Sequence, residues 1–240
     1  MDLNNKVAVI TGVSKGIGYE LVKQLLEKGA KVYGLGRNNN DIKNASYKFI
    51  PCDVRRMDQV DAALAEVCSE SANRVDLLVN NAGLGYFGFL EDTTPEQWHE
   101  MYETNVNSIF YFCRKIIPMM KQQDYGHIIN IASTAGLEGY PQAAAYCGSK
   151  WAVKGISESM YKELRDFRIK VTCVYPGSVK TDFFRNNPNI KPHDYMLMPR
   201  DLVEMMVQTI EMPGNFHTVN LEVRPLQPKG PATSVNKSKA

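Results

Sequence analysis

The residues with the clearest potential for chemistry are Tyr146 and Lys150, which stand four positions apart in the sequence Tyr-Cys-Gly-Ser-Lys. Apolar residues at helical spacing follow them, so a helix is predicted here that presents both side chains on one face. A tyrosine hydroxyl has a pKa near ~10, and lowering it by about three units takes roughly 4 kcal/mol of selective stabilisation of the phenolate. An ammonium about 4 Å away supplies on the order of 4 kcal/mol at an effective dielectric constant of about 20. The pair therefore predicts a tyrosine that exchanges protons near neutral pH.

Ser133 is the third candidate, because it comes directly after the apolar strand predicted at His127–Ile131 and the alanine that follows it. We expect its hydroxyl to hold the oxygen of a substrate beside Tyr146. A tyrosine and a lysine at this spacing occur by chance in many helices, so the elements that position them must support the assignment.

A glycine-rich turn near the start of the sequence supplies that support. Residues 11–18 read Thr-Gly-Val-Ser-Lys-Gly-Ile-Gly, and they lie between the apolar run Val7–Ile10 and an amphipathic stretch that ends at Gly29. Glycine permits positive φ and close backbone approach, and the free N–H groups at a helix start attract a phosphate. The spacing differs from the commoner Gly-x-Gly-x-x-Gly, but the strand before and the helix after meet the condition for a dinucleotide site. A helix-entry turn without a ligand is the alternative.

The end of the second predicted strand indicates which dinucleotide is bound. Sites that prefer NAD place Asp or Glu about 20 residues past the glycine turn, on the ribose 2′-hydroxyl. This chain has Gly36 and Arg37 there, with Lys15 inside the turn. A guanidinium and an ammonium suit a 2′-phosphate, so the sequence predicts NADP(H) in preference to NAD(H). A role for Arg37 as a solvated loop residue is the alternative.

Two further segments are expected near the adenosine half of the cofactor. Asp53 follows the third predicted strand. Its carboxylate is placed either to accept a hydrogen bond from the adenine amino group or to cap the next helix. The sequence Asn-Asn-Ala-Gly at 80–83 follows the fourth strand. Its small residues allow close approach of the backbone, and its amides can pin neighbouring strand ends.

Strand-length apolar runs alternate with amphipathic segments along the chain. The predicted strands are Val7–Ile10, Lys31–Arg37, Tyr47–Ile50, Val75–Val79, His127–Ile131, Lys170–Tyr175 and Val219–Val223. Helices are predicted at Met57–Ser69, Glu103–Lys121 and Arg200–Met212, with a helix start at Thr94–Glu96, and residues 38–46 leave room for about one helical turn. This alternation predicts an α/β fold, with a doubly wound parallel sheet, helices on both faces and right-handed crossovers. Residues 1–240 are expected to form one domain, with a polar tail at about 225–240.

Composition argues against several classes of protein. The net charge of +2 is spread along the chain, so nucleic acid is not an expected partner. No apolar run reaches the ~18 residues of a membrane helix, and the start of the sequence has no secretory apolar region, so the expected location is cytoplasmic. The five cysteines lack metal-site spacing, which predicts free thiols and no metal site.

In combination these motifs resemble the short-chain dehydrogenase/reductase family in its compact, single-domain form. The resemblance covers nearly the whole chain, and it adds Asn105 and Pro176-Gly177 to the motifs above. It implies a Rossmann-type sheet of about seven strands in three α/β/α layers, and hydride transfer at a nicotinamide. It also implies that Tyr146 is the acid–base group, that Ser133 orients the carbonyl and that Lys150 lowers the tyrosine pKa and binds the nicotinamide ribose. Asn105 would support a water-mediated proton path.

The residues expected to bind the cofactor extend from the glycine turn to the segment after the sixth strand. They are Gly12, Ser14, Lys15, Gly16, Ile17, Gly18, Arg37, Asp53, Val54, Asn81, Ala82, Gly83, Tyr146, Lys150, Pro176, Gly177, Val179 and Thr181.

Departures from the family pattern leave the substrate and assembly open. The last strand ends in Asn-Leu-Glu-Val-Arg-Pro-Leu at 220–226, where many 3-oxoacyl-carrier-protein reductases have a glycine-rich end that helps to build a tetramer. We expect reduction of a small-molecule ketone or aldehyde by a homodimer or homotetramer. The alternatives are 3-oxoacyl-carrier-protein reduction and a catalytically silent dinucleotide-binding regulator. A substrate lid is expected at about 183–199, where Phe183, Phe184 and residues 195–198 would face Leu137 and Tyr140 and favour an apolar or mixed substrate.

Overall fold

The structure, a computed structural model, describes residues 1–183 and 193–228. Its strands are β1 (Val7–Thr11), β2 (Lys31–Gly36), β3 (Tyr47–Pro51), β4 (Leu77–Asn80), β5 (Gly126–Ile131), β6 (Ile169–Pro176) and β7 (Asn220–Val223). Its α-helices are α1 (Gly16–Glu27), α2 (Met57–Ser71), α3 (Pro95–Tyr102), α4 (Ser108–Gln123), α5 (Ala144–Leu164) and α6 (Pro199–Glu211).

The seven strands form one parallel sheet in the order β3-β2-β1-β4-β5-β6-β7. The strand order reverses between β1 and β4, which creates a crevice at the carboxyl ends of these two strands. The predicted doubly wound α/β fold of the Rossmann type is therefore confirmed.

Two apolar cores lie on opposite faces of the sheet, because successive side chains of a strand point to opposite sides. On one face, Val9 of β1 packs with residues of α2, α4 and α5. On the other face, Ala8 and Ile10 pack with residues of α1 and α6. Strands covered on both faces read as continuous apolar runs, which is why Val7–Ile10 predicted a buried strand.

Three element predictions need correction, and side chains explain two of them. β4 begins at Leu77 because the N–H and C=O of Val75 bond the Gln123 side chain, at 3.0 and 2.9 Å. The segment between β2 and β3 contains no helical turn. There the Asn40 amide donates to the Val13 carbonyl at 3.0 Å, and its oxygen accepts from Ile42 N at 3.1 Å.

The third correction concerns the helix predicted at Glu103–Lys121. The first five residues, Glu103–Asn107, form a π-helical turn between α3 and α4. The predicted helix start at Thr94 is confirmed, since Thr94 and Gln97 form a capping box with Pro95 as the first helical residue. Among the residues that the structure describes, no helix is long and apolar enough to span a membrane.

Candidate active site

A cleft of about 930 Å³ opens at the carboxyl ends of the strands. Nearly all of the predicted site residues line it: Gly12, Ser14, Lys15, Gly16, Ile17, Arg37, Asp53, Val54, Asn81, Ala82, Gly83, Ser133, Tyr146, Lys150, Pro176, Gly177, Val179 and Thr181. Gly18 and Asn105 are not part of its wall. We call the end near Arg37 and Asp53 the adenosine end, and the end near Tyr146 the reaction end.

The glycine turn brings β1, α1 and the 81–83 segment together without side chains. Gly12 has φ +73°, and a Cβ on it would lie 2.8 Å from Ala82 Cα. A Cβ on Gly18 would lie 2.3 Å from the Gly12 carbonyl oxygen, so Gly18 shapes the turn from behind rather than lining the cleft. The side chain of Lys15, the N-cap of α1, makes no capping bond. The helix start thus presents N–H groups and its dipole to the cleft, as phosphate binding requires.

The strand end after β4 is held by β1. The Thr11 hydroxyl accepts hydrogen bonds from the N–H groups of Asn81 and Ala82, each at 3.0 Å. The Asn81 amide donates back to the carbonyls of Thr11 and Gly12, at 2.9 and 3.0 Å. The prediction that asparagine amides pin neighbouring strand ends is confirmed. These hydrogen bonds hold the backbone of residues 81–83 along the cleft.

At the adenosine end, Arg55 is a residue that the sequence pattern did not single out. Its Nε lies 2.9 Å and 3.1 Å from the two oxygens of Asp53, so it grips the carboxylate and holds the Asp53 pKa below its usual range. The predicted alternative that Asp53 caps α2 is wrong, because Arg56 is the N-cap. Arg37 is exposed at the same end. Lys15 Nζ pairs with Asp182 at 2.7 Å, so in this structure its ammonium is engaged by a carboxylate.

At the reaction end, α5 presents Tyr146 and Lys150 on one face, as predicted. Both side chains are buried, with 7% and 4% exposure. Lys150 Nζ donates to the Ile131 carbonyl at 2.9 Å and lies 5.8 Å from the centroid of the Tyr146 ring. Ser133 Oγ hydrogen-bonds to Tyr146 and also accepts from Ala135 N at 3.2 Å. The structure therefore brings the predicted triad of serine, tyrosine and lysine together.

The electrostatics of this triad differ from the prediction. Burial raises the pKa of Tyr146, and the hydrogen bond to Ser133 only partly offsets that effect. Burial also lowers the pKa of Lys150 to about 8. Burial is the largest influence on both pKa values, so the net shift of the Tyr146 pKa is opposite to the predicted lowering.

Asn105 lies in the π-helical turn behind the cleft wall. Its amide nitrogen donates to the Leu84 carbonyl and to Ser149 Oγ, at 2.9 and 3.0 Å. Its oxygen accepts from Leu84 N at 2.9 Å. A Cβ on Gly83 would lie 3.3 Å from the Asn105 oxygen and 3.5 Å from Lys150 Nζ. Asn105 thus braces the chain beside the lysine.

Two aromatic rings form an apolar wall around Tyr146. The centroids of Phe87 and Phe183 lie 5.4 and 5.7 Å from that of Tyr146, and 6.4 Å from each other. Phe183 was predicted as part of the lid. Phe87 was not singled out, since its loop carries several aromatic residues and sequence gave no reason to choose one.

Polar residues form the outer rim of the reaction end. Arg224, just after β7, donates to Glu138 Oε1 at 2.8 Å, and the Tyr140 hydroxyl donates to the same oxygen at 2.6 Å. Arg224 also pairs with Glu222. The chain after β7 therefore reaches the cleft, although the sequence indicated only a departure from a glycine-rich end.

Only some of the residues predicted to form or face the substrate lid line the cleft. Phe183 and Tyr140 line the cleft, but Leu137, Tyr195, Met196, Leu197 and Met198 do not. Leu197 pairs with Val179 through its backbone, and Met196 is buried, whereas Tyr195 and Met198 are exposed. Phe184 and the rest of 184–192, like the tail beyond residue 228, lie outside the described residues.

Comparison with known proteins identifies the family. A sequence profile of the short chain dehydrogenases matches residues 6–191. The chain belongs to the short-chain dehydrogenase family. It is 34% identical over 232 residues to an uncharacterized oxidoreductase of Staphylococcus saprophyticus, covering 92% of this chain and 91% of the relative. Family membership makes the protein an oxidoreductase that acts on CH–OH and C=O groups with NAD(P).

Solved structures of short-chain dehydrogenases share the fold. The closed form of serine dehydrogenase complexed with NADP+ is 28% identical and has a TM-score of 0.83, covering 90% of this chain and 94% of that one. The 3-ketoacyl-(acyl-carrier-protein) reductase from Brucella melitensis complexed with NADH is 27% identical and has a TM-score of 0.85, covering 94% and 99%. These neighbours bind different nicotinamide cofactors, so their likeness does not determine the cofactor preference of this chain.

Proposed function

We propose that this short-chain dehydrogenase is an NADP(H)-dependent reductase of small-molecule ketones or aldehydes, with alcohol oxidation as the reverse reaction. The observation that carries the proposal is the Ser133–Tyr146–Lys150 triad, which lies in the same cleft as the glycine turn. The described residues of the glycine turn and of the triad line one cleft at the edge of one sheet, which supports a single domain with both functions.

The chain's residues have distinct roles in this proposal. The bound nicotinamide supplies or accepts the hydride. Ser133 Oγ, within hydrogen-bond reach of Tyr146, orients the carbonyl oxygen, and the Tyr146 hydroxyl donates the proton to it. Lys150 retains most of its charge at neutral pH, since its pKa is about 8, and it favours the phenolate that remains. Asn105 keeps Leu84 and Ser149 in place around the lysine and adjoins the proposed proton path.

The residues at the adenosine end support NADP(H) over NAD(H). β2 ends in Gly36, and the exposed Arg37 follows it on the cleft wall. No carboxylate stands at this position to bind a 2′-hydroxyl, and Asp53 is already engaged by Arg55. The guanidinium of Arg37 is therefore the group best placed for a 2′-phosphate. Lys15 contributes only if the phosphate competes with Asp182 for its ammonium.

The reaction end supports an apolar or mixed carbonyl substrate. Phe87 and Phe183 offer ring faces beside Tyr146, and Glu138 and Arg224 form the polar rim. The acyl-carrier-protein reductase neighbour keeps 3-oxoacyl thioester reduction as the second candidate function. Exposed Phe110 on α4 and Trp151 on α5, at 59% and 46%, support self-association into a homodimer or homotetramer.

The test is a fluorescence titration with NADPH and NADH, followed by NADPH oxidation against ketones, aldehydes and acetoacetyl esters. We expect tighter binding of NADPH and turnover of at least one apolar carbonyl compound. Preference for an acetoacetyl thioester would favour the second candidate. Binding of NADPH without any turnover would replace the reductase with a silent regulator, and absence of binding would contradict the proposal.

A further inference from the structure

A chain of polar contacts starts at the adenosine end of the cleft and leaves it. Arg55, which is hydrogen-bonded to Asp53, also donates from Nη1 to Glu100 Oε1 at 2.7 Å. The second oxygen of Glu100 accepts from the Tyr86 hydroxyl at 2.5 Å. Glu100 belongs to α3 and does not itself line the cleft. One carboxylate thus joins a cofactor-side arginine to a tyrosine in a different loop.

That loop, residues 84–88, contributes Leu84, Gly85 and Phe87 to the wall of the reaction end. It is held at its start by Asn105, which bonds both backbone groups of Leu84. It is held at its end by Gly88 N, which donates to the Gln142 carbonyl at 2.8 Å. Between these anchors, the Tyr86 side chain is tied to Glu100 and the next residue, Phe87, places its ring against Tyr146.

The carboxylate of Glu100 is well suited to this task. Its side chain is 27% exposed and that of Arg55 is 31% exposed, so water screens the pair only in part. Hydrogen bonds to an ionised acceptor are roughly twice as strong as neutral ones. The hydrogen bond to the Glu100 carboxylate also raises the pKa of Tyr86.

We propose that Glu100 is a positioning residue that holds the 84–88 loop, and with it the Phe87 ring, against Tyr146, while Arg55 ties the same carboxylate to the cofactor side. The proposal rests on the proposed function for its catalytic consequence. It makes the aromatic wall of the substrate site dependent on a contact outside the cleft.

The kinetic test compares Glu100→Gln with a matched control. Glu70→Gln removes a carboxylate that also joins a cation, Lys48, to a tyrosine hydroxyl, that of Tyr33, but on the outside of the cleft. We expect Glu100→Gln to raise KM for an apolar aromatic ketone about 10-fold, with kcat and the NADPH Kd within about twofold of wild type. Glu70→Gln should leave all three unchanged.

A double-mutant cycle with Phe87→Ala identifies the route of the effect. If Glu100 acts through the ring, Glu100→Gln adds nothing to KM once Phe87 is removed. An equal KM increase on both backgrounds would overturn the proposal, and so would equal effects of the Glu100 and Glu70 variants.

Hydrogen exchange decides the structural claim without turnover. The amides of Leu84 and Gly88 are hydrogen-bonded, and in Glu100→Gln they should exchange about 10-fold faster than in wild type, with no change in Glu70→Gln. Unchanged exchange in Glu100→Gln would overturn the proposal. A wild-type protein that reduces no carbonyl would instead refute the proposed function, and the exchange result would still decide whether Glu100 holds the loop.

Discussion

Two ionisable side chains at the reaction end are buried more deeply than ordinary tyrosines and lysines. The Tyr146 ring packs against those of Phe87 and Phe183, and Lys150 lies behind Gly83. Burial makes the charged form of each less favourable. Burial keeps Tyr146 uncharged at neutral pH, whereas the buried ammonium of Lys150 lowers the stability of the folded protein.

Lys150→Met should therefore stabilise the protein while removing its activity. The pKa of Lys150 is about 8 when folded, against an ordinary value of 10.5. Below pH 8 the buried ammonium costs about 3 kcal/mol, less about 1–2 kcal/mol for the bond to Ile131 that the variant loses. The unfolded chain binds more protons between pH 8 and 10.5, so wild-type stability should rise with pH across that window. Urea unfolding at pH 7 and pH 10 measures this, and the advantage of the variant should vanish by pH 10. A variant that is less stable at both pH values would contradict it.

Arg37→Asp should shift cofactor preference toward NADH. The carboxylate repels a 2′-phosphate and accepts a hydrogen bond from a 2′-hydroxyl, so we expect the ratio of the NADH Kd to the NADPH Kd to fall by about 10- to 100-fold. Arg56→Asp is the control, because Arg56 is exposed and outside the cleft wall. An unchanged ratio would transfer the role to Lys15 or Arg55.

At the scale of elements, the cleft depends on side chains that lock one strand end to another. Thr11 is the clearest case, because its single hydroxyl accepts two N–H groups from the 81–82 segment. The β1 sequence predicted a buried strand before a glycine turn, but nothing in it showed that the threonine would hold the end of β4.

Thr11→Val should loosen this junction with little change in volume. Two N–H groups lose their acceptor, which should cost about 2 kcal/mol of unfolding free energy and raise the NADPH Kd about 10-fold. Thr209→Val, at a buried position on α6 away from the cleft, is the matched control. Denaturant unfolding and fluorescence titration supply the two measurements. A Kd change no larger than that of the control would show that the 81–83 backbone does not depend on Thr11.

Some of these elements could be predicted from the sequence, and others could not. Apolar runs and glycines are local signals, so β1, the glycine turn and the helix with Tyr146 were predictable from neighbouring residues. The π-helical turn that carries Asn105, the side-chain bonds of Gln123 and the choice of Phe87 depend on distant partners. Patterns within one segment carry no information about such partners.

At the scale of the whole molecule, the opposite end of the sheet contains another buried ionisable group. His127 of β5 is 1% exposed, and its Nε2 lies 2.9 Å from Thr172 Oγ1. Since the Thr172 hydroxyl donates to the Thr218 carbonyl at 2.7 Å, the histidine nitrogen must be the donor. Burial lowers the pKa of His127 to about 3, with His217 and Lys170 adding repulsion.

Because His127 is buried in its uncharged form, we expect the free energy of unfolding to fall in acid. Its pKa when folded is about 3, against an ordinary 6.5, so the unfolded chain binds the extra proton between these values and stability falls as pH drops below 6.5. The expected loss is about 2 kcal/mol by pH 5. His127→Gln keeps a donor for Thr172 and should flatten the unfolding free energy between pH 7 and pH 5. An equal loss in the variant would assign acid sensitivity to other groups.

The arrangement of the strands in the whole sheet could be predicted only in part. The sequence predicted alternating strands and helices, and the family resemblance implied their arrangement. The contact between Arg224 and Glu138 in the polar rim was not predictable, because it exists only when the chain after β7 returns to the cleft. That return depends on the packing of β7 on β6, which a short strand pattern does not specify.

The most direct test of the account is the turnover of Tyr146→Phe, with Tyr161→Phe on the same helix as its control. Loss of the hydroxyl removes the proton donor but keeps the ring between Phe87 and Phe183, so kcat for carbonyl reduction should fall by at least about 10²-fold. The NADPH Kd should stay within about threefold of wild type. Retention of most of the wild-type rate by Tyr146→Phe would contradict the assignment of Tyr146 as the acid–base group.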